Sequence, residues 1–335
     1  MNDYVEQLKS VINGTMFYSS SSYSYFGKES AKLPSNIRRA LTPRTARNYL
    51  LYQLQSQLYT ESYIRGAMRT GTWNDIDSAV DIAAFVELLS AANAGNGSWE
   101  DGWEVLLNTT TEVVVKKTGL ALWVRPTDCA KSGGGPIEPG NILKLKQSKE
   151  LLCISPGYYL AVSDEGNDFD DTSDLVRLYW NLKKEGAEVF VREATRMLNA
   201  ARLYFRLKVL NNPRSYIRCD AAVVYLRKSD YPTAVEIVTR IYSQVARYLK
   251  SSAPMFTKLL APGVGLAEDP GLRESFGQHR CRLLADGLIR AFEEDARVLE
   301  DRLAVVKDCY ASAGITLEHP YLNPKSLDIY TFQSS

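Results

Sequence analysis

Arg206, Lys208, Arg214, Arg218, Arg227 and Lys228 fall within one run of largely alternating residues, FRLKVLNNPRSYIRCDAAVVYLRKSDY, at positions 205–231. Side chains two apart on a strand leave the same face, so Arg206 and Lys208 project together. On the following run Arg218, Asp220, Ala222 and Val224 share a face, with Tyr225 on the other unless a bulge intervenes. If the two runs pair across LNNPRSY, Lys208 comes close to Arg218. Like charges on neighbouring strands are destabilising unless an anion or a carboxylate sits between them. Cations converging on one point suit an oxyanion such as phosphate, to which arginine gives bidentate contacts. Crowding and partial burial also lower a lysine's pKa, which makes Lys208 a candidate base. The competing reading is a solvated face of alternating charges paired with Asp220 and Asp230.

Two other stretches carry chemistry-bearing side chains. LVRLYWNL, at 175–182, sets Arg177, Tyr179 and Asn181 on one face and Leu178, Trp180 and Leu182 on the other. That polar face could bind a ligand, or belong to an ordinary half-buried strand. SFGQHRCRLL, at 275–284, places His279 beside Arg280 and Arg282. A histidine there could be a general acid or a phosphate contact, and equally a surface or capping residue. His319, in LEHPYLNP, reads as structural.

The usual signatures are missing. SGGGPIEPG lacks the GK[ST] of a P-loop, and GVGLAEDPG does not match GxGxxG between a strand and a helix. The chain contains neither GxSxG nor HExxH. Two histidines cannot assemble a zinc site of the usual kind, and five dispersed cysteines without CxxC suit reduced thiols in the cytoplasm.

These residues need elements to hold them. Helices are predicted over residues 2–13, 43–65 and 76–94. In the second, Tyr49, Leu50, Tyr52, Leu54, Leu58 and Tyr59 cluster near i, i+3/i+4 spacing, and Thr42 precedes Pro43 as an N-cap. FYSSSSYSYFGK, at 17–28, is expected to be a mobile segment. From VLLNTTTEVVVKKTGLALWVRP onward the β-branched alternation predicts strands. ILKLKQ and ISPGYYLAVSD are expected to supply a further strand pair, followed by LVRLYWNL and the two strands of the opening run. Further helices are predicted over 186–198, from 231 to about 250, and over about 281–313. The class is α+β: a helical N-terminal region (1–100), then a mostly antiparallel sheet core flanked by helices (105–330).

A chain of 335 residues can bury a substantial core as one large domain or two. Lys+Arg (40) and Asp+Glu (39) nearly cancel, so bulk charge gives no case for nucleic acid or a membrane surface. No apolar run approaches the roughly 20 residues that span a bilayer. MNDYVEQLKSVI lacks the pattern of a signal peptide, and a cytoplasmic location is expected.

Over roughly residues 40–325 the chain resembles the Hop class A type III effector family, most densely in ISPGYY, RLYWNL, FRLKVLNNP, YIRCDAAVVY and FGQHR. Many members of that family are encoded with a kinase-like partner in pathways for ribosomally made, post-translationally modified peptides, including class V lanthipeptides and thioamitides. The resemblance implies a lyase that removes phosphate from phosphoserine or phosphothreonine, leaving dehydroalanine or dehydrobutyrine, without metal or cofactor. It implies as partners a phosphorylated precursor peptide and a separate kinase. By position alone, the 1–100 region is expected to bind the peptide leader or that kinase.

A weaker resemblance, to the effector phosphothreonine lyases, rests on RLKV…YIR…VVY. It implies that Arg206 stands for a first lysine and that Lys208 is the catalytic lysine. Arg218 is then the phosphate arginine and Tyr225 the accompanying tyrosine. Outside that match, Arg177 and Arg280 are expected as further phosphate contacts. Those lyases carry a histidine general acid on a preceding strand, where GYYLAVSD has Tyr158 and Tyr159. The acid therefore falls to His279 or to Tyr159. The rivals are a non-catalytic effector and a phosphopeptide-binding interaction protein.

Overall fold

The computed structural model describes residues 4–30, 34–65, 76–166, 174–271 and 274–332. It is an α+β structure in which helices and three antiparallel sheets share the chain. Helix α1 (Tyr4–Gly14) runs into a small sheet of β1 (Thr15–Ser19), β2 (Ser22–Tyr25) and β3 (Lys28–Glu29). This is the stretch expected to be mobile. The order comes from Tyr23 and Tyr25, both buried, with Tyr23 donating a hydrogen bond to Gln57 Oε1 at 2.7 Å.

Helix α2 (Ser35–Ala40) leads to α3 (Pro43–Gln57), which starts as its sequence predicts, with Thr42 Oγ1 accepting from the Thr45 amide. One π-helical turn, Leu58–Tyr63, ends α3 and turns Tyr59 and Tyr63 inward. After α4 (Ile76–Ala92) come β4 (Trp99–Asn108), β5 (Val113–Lys117), β6 (Leu120–Val124), β7 (Cys129–Ala130) and β8 (Ile142–Lys146). They form a sheet ordered β6-β5-β4-β8-β7 with its own core of Trp103, Val105, Val113, Val115, Leu143 and Leu145.

The third sheet carries the cations. Its strands are β9 (Tyr158–Val162), β10 (Leu175–Trp180), β11 (Phe205–Leu210), β12 (Ala222–Arg227), β13 (Lys258–Ala261) and β14 (Val264–Glu268), ordered β13-β14-β10-β12-β11-β9. ILKLKQ and ISPGYY therefore do not pair with each other. The first closes the small sheet as β8, and the second enters the large sheet beside β11.

One face of the large sheet is buried and largely apolar, with Val176, Leu178, Trp180, Leu207, Val209 and Val224, and with Glu268 at its edge opposite Val176. It packs against α5 (Ala187–Ala200) and α6 (Tyr231–Val245), for example through Trp180 on Phe190. The final helical segment is two helices, α7 (Phe276–Glu293) and α8 (Leu299–Ser312), instead of one. The break falls at Asp295, whose φ of 58° ends the α-helical run. α7 also begins earlier than its apolar pattern predicts, because Ser275 and Gln278 form a capping box.

The N-terminal elements do not stand apart. Leu8, Leu50, Leu54 and Tyr63 belong to the same core as the large sheet, and Arg47 bonds Asp286 and Glu293 on α7. No helix among the described residues is long and apolar enough to cross a membrane.

Candidate active site

The register of the large sheet lines up the residues of its second face in two rows. Tyr179 on β10 is opposite Val223 on β12, which is opposite Lys208 on β11. Next to that row, Arg177 is opposite Tyr225, which is opposite Arg206. Alternation therefore puts Arg177, Tyr179, Val223, Tyr225, Arg206 and Lys208 on one face. Tyr225 lies on the face opposite Ala222 and Val224, as expected, and that is the face of Lys208. The parity expected from Arg218 does not carry because β12 starts only at Ala222, after the irregular stretch that holds Arg218.

A cavity of about 230 Å³ opens over this face. Arg177, Tyr179, Lys208, Val223 and Tyr225 form its floor, and Tyr158 and Asp220 one side. The π-helical turn supplies Tyr59 and Tyr63, and the start of α7 supplies Ser275 and Gln278. Tyr158 owes its position to the turn SPGY. Pro156 precedes Gly157 at φ +83°, and the Tyr158 amide donates to Ser155 O at 3.0 Å, the arrangement of a type II turn.

Among the described residues Lys208 makes no hydrogen bond and no ion pair. Its Nζ lies 5.6 Å from the centroid of Tyr225 and 5.9 Å from that of Tyr158. Burial lowers its pKa, and the charges of Arg177 and Arg206 lower it further. A lysine so placed gives up its proton more readily than a solvated one.

The arginines are held by carboxylates. Arg218 donates from Nε and Nη2 to the two oxygens of Asp220 at 2.8 and 2.7 Å, and from Nη2 to Tyr158 Oη at 2.8 Å. Arg177 donates from Nε to Asp269 at 2.7 Å and lies over the Tyr225 ring at 5.2 Å. Burial raises the pKa values of Tyr59, Tyr158, Tyr179 and Tyr225, which keeps their hydroxyls protonated at neutral pH.

The two expected acids lie elsewhere. Tyr159 points to the opposite face of β9 from Tyr158, donating to Glu150 Oε2 at 2.5 Å and accepting from Asn93 Nδ2 at 2.9 Å. His279 is buried one residue beyond Gln278 and does not line the cavity. Its Nδ1 faces Arg280 Nη1 at 2.5 Å, and burial, followed by the charge of Arg280, brings its pKa down to about 4. Arg280 is also structural in its contacts. It is fully buried and donates to Pro320 O at 2.7 Å and Leu322 O at 2.9 Å.

His279 sets a pH response. Above about pH 6.5 the ring is neutral both folded and unfolded, and it has no effect on stability. Between about 6.5 and about 4 the unfolded chain binds a proton that the folded chain does not, so stability falls as pH falls. Urea unfolding of wild type and His279→Gln over that window should show a steeper loss in wild type.

α7 abuts the cavity wall so closely that a Cβ on Gly277 would collide with the Tyr63 ring. Gly277→Ala is expected to lose about 1–3 kcal/mol by overpacking, read as a lower urea midpoint.

Tyr59, Tyr63, Ser275 and Gln278 are site residues that sequence reasoning missed. Only the capping-box spacing Ser-x-x-Gln at 275–278 was available as a signal, and it marks a helix start, not a site.

Solved structures of effector proteins from Pseudomonas syringae are similar in outline. That from pv. tomato strain DC3000 is 15% identical, with 83% of this chain and 96% of that chain covered at a TM-score of 0.48. That from pv. syringae strain 61 is 12% identical, with 81% and 89% covered at 0.46. No curated protein matches the chain. The profile of the HopA1 effector protein family matches residues 151–322, which include every strand of the large sheet and the N-terminus of α7. Over that match, which takes in more than half of its length, the chain belongs to the HopA1 effector protein family.

Proposed function

We propose that the protein is a carbon–oxygen lyase that eliminates phosphate from phosphoserine or phosphothreonine in a ribosomally made precursor peptide, after a separate kinase has phosphorylated it. The observation that carries the reading is Lys208: a lysine without an acceptor among the described residues, of lowered pKa, in a cavity with an arginine and protonated tyrosines. Elimination needs a base for a weakly acidic Cα proton, and neutral Lys208 Nζ supplies it. Charge then builds on the carbonyl-side carbanion and on the departing phosphate, and preorganised cations and hydroxyls stabilise it. Arg177 and Arg206 flank Tyr225 in the row beside Lys208, so a phosphate set there holds the Cα of its residue within reach of the base. Asp269, the carboxylate partner of Arg177, need only yield to the phosphate. The peptide substrate and the kinase follow from the family resemblance, and the N-terminal part contributes Tyr59 and Tyr63 to the cavity wall.

A phosphopeptide-binding module that does not eliminate is the second reading. It is favoured by the cationic and phenolic lining of the cavity, which can hold a phosphate without any proton transfer. Mass spectrometry of a phosphoserine peptide incubated with the protein separates the two. The lyase gives loss of the elements of phosphoric acid and a product that adds thiols. Saturable binding with an unchanged peptide mass favours the module.

A further inference from the structure

The cavity holds one acid that no expectation had named. Tyr179 is buried, lines the cavity, and its hydroxyl makes no hydrogen bond among the described residues. A buried hydroxyl without a partner is costly, and such a group calls for an explanation. The Tyr63 hydroxyl and the Arg177 guanidinium lie near enough to act on its acidity, yet neither meets it in hydrogen-bond geometry.

Its place in the sheet is specific. Tyr179 and Lys208 flank Val223 in one row across three strands, so their backbones stand about 10 Å apart, two strand spacings. Their side chains rise on either side of a small floor residue. A phosphoserine laid over Val223 presents its Cα to one of them and its bridging oxygen to the other.

We propose that Tyr179 is the general acid that protonates the leaving phosphate. This rests on the lyase reading given above. Lys208 Nζ takes the Cα proton, and the C–H electron pair becomes the second bond between Cα and Cβ. The Cβ–O bond breaks, and its pair stays on the bridging oxygen, which takes the phenolic proton of Tyr179. Phosphate departs as hydrogen phosphate. The tyrosinate is stabilised by Arg177 beside it, and regains its proton from the Lys208 ammonium by way of solvent.

The test compares two leaving groups on one peptide. Phosphoserine needs a proton on its bridging oxygen, whereas O-sulfoserine has the same shape but leaves as stable sulfate without one. Tyr179→Phe keeps the ring that packs near Tyr63 and Phe276, and thermal melting confirms its fold. The variant is expected to eliminate phosphate roughly 10²–10³-fold more slowly than wild type, with sulfate elimination changed less than about threefold. Equal loss on both peptides, or no loss on either, overturns Tyr179 as the acid. Wild type that eliminates from neither peptide overturns the lyase reading itself, a separate outcome.

Discussion

Lys208→Ala should abolish elimination while leaving the phosphopeptide bound. Loss of a general base typically costs 10²–10⁴-fold in rate. Lys208 carries no structural ion pair among the described residues, so its removal strands no buried partner. Rapid-quench rates should fall by about 10³-fold or more, with peptide affinity changed far less. The pH dependence follows from the active form being the neutral amine. kcat/KM, which reports the free enzyme, should rise with pH and level off above the Lys208 pKa. Burial, Arg177 and Arg206 hold that pKa below the usual 10.5, so the inflection should lie below it. Arg206→Gln removes one of those charges and should move the inflection upward. An unchanged inflection in Arg206→Gln, or wild-type rates in Lys208→Ala, would contradict this assignment.

Arg218→Ala should be the most damaging single change to stability around the site. Asp220 is nearly fully buried, and Arg218 supplies both charge-assisted bonds to its oxygens. Without Arg218 it retains, among the described residues, the Tyr158 hydroxyl at 3.4 Å. Removing one member of a buried pair costs about 3–5 kcal/mol, and the partial exposure of Arg218 points to the lower end. For a chain of this size that lowers the melting temperature by roughly 5 °C. The double variant Arg218→Ala, Asp220→Ala should recover much of the loss, since no lone charge is then buried. Additive losses in the double variant would mean that the pair does not couple.

Part of this site is legible in the sequence, and the rest is not for identifiable reasons. Period-two alternation correctly puts Arg206 beside Lys208 and Arg177 beside Tyr179, because both runs are regular strands. The same alternation separates Tyr158 from Tyr159, so only one of them can face the cavity. Alternation correctly separates Tyr225 from Ala222 and Val224, but it does not extend to Arg218 and Asp220, which precede the strand. On α7 one residue is a turn of about 100°, which brings Gln278 to the cavity and leaves His279 out. Tyr59 and Tyr63 join the site through a π-helical turn and a contact far along the chain, and neither is written in local pattern. The Ser/Tyr stretch, read as mobile from its composition, carries the strand alternation that buries Tyr23 and Tyr25.

The central claim is that this face breaks a C–H bond at the phosphorylated residue. A precursor-type peptide carrying phosphoserine deuterated at Cα tests it most directly, by product mass and by rate against the protonated peptide. The account predicts a product that has lost both phosphate and the deuterium, formed more slowly than from the protonated peptide. A product that has lost phosphate but kept its deuterium, as serine, would show hydrolysis and contradict it.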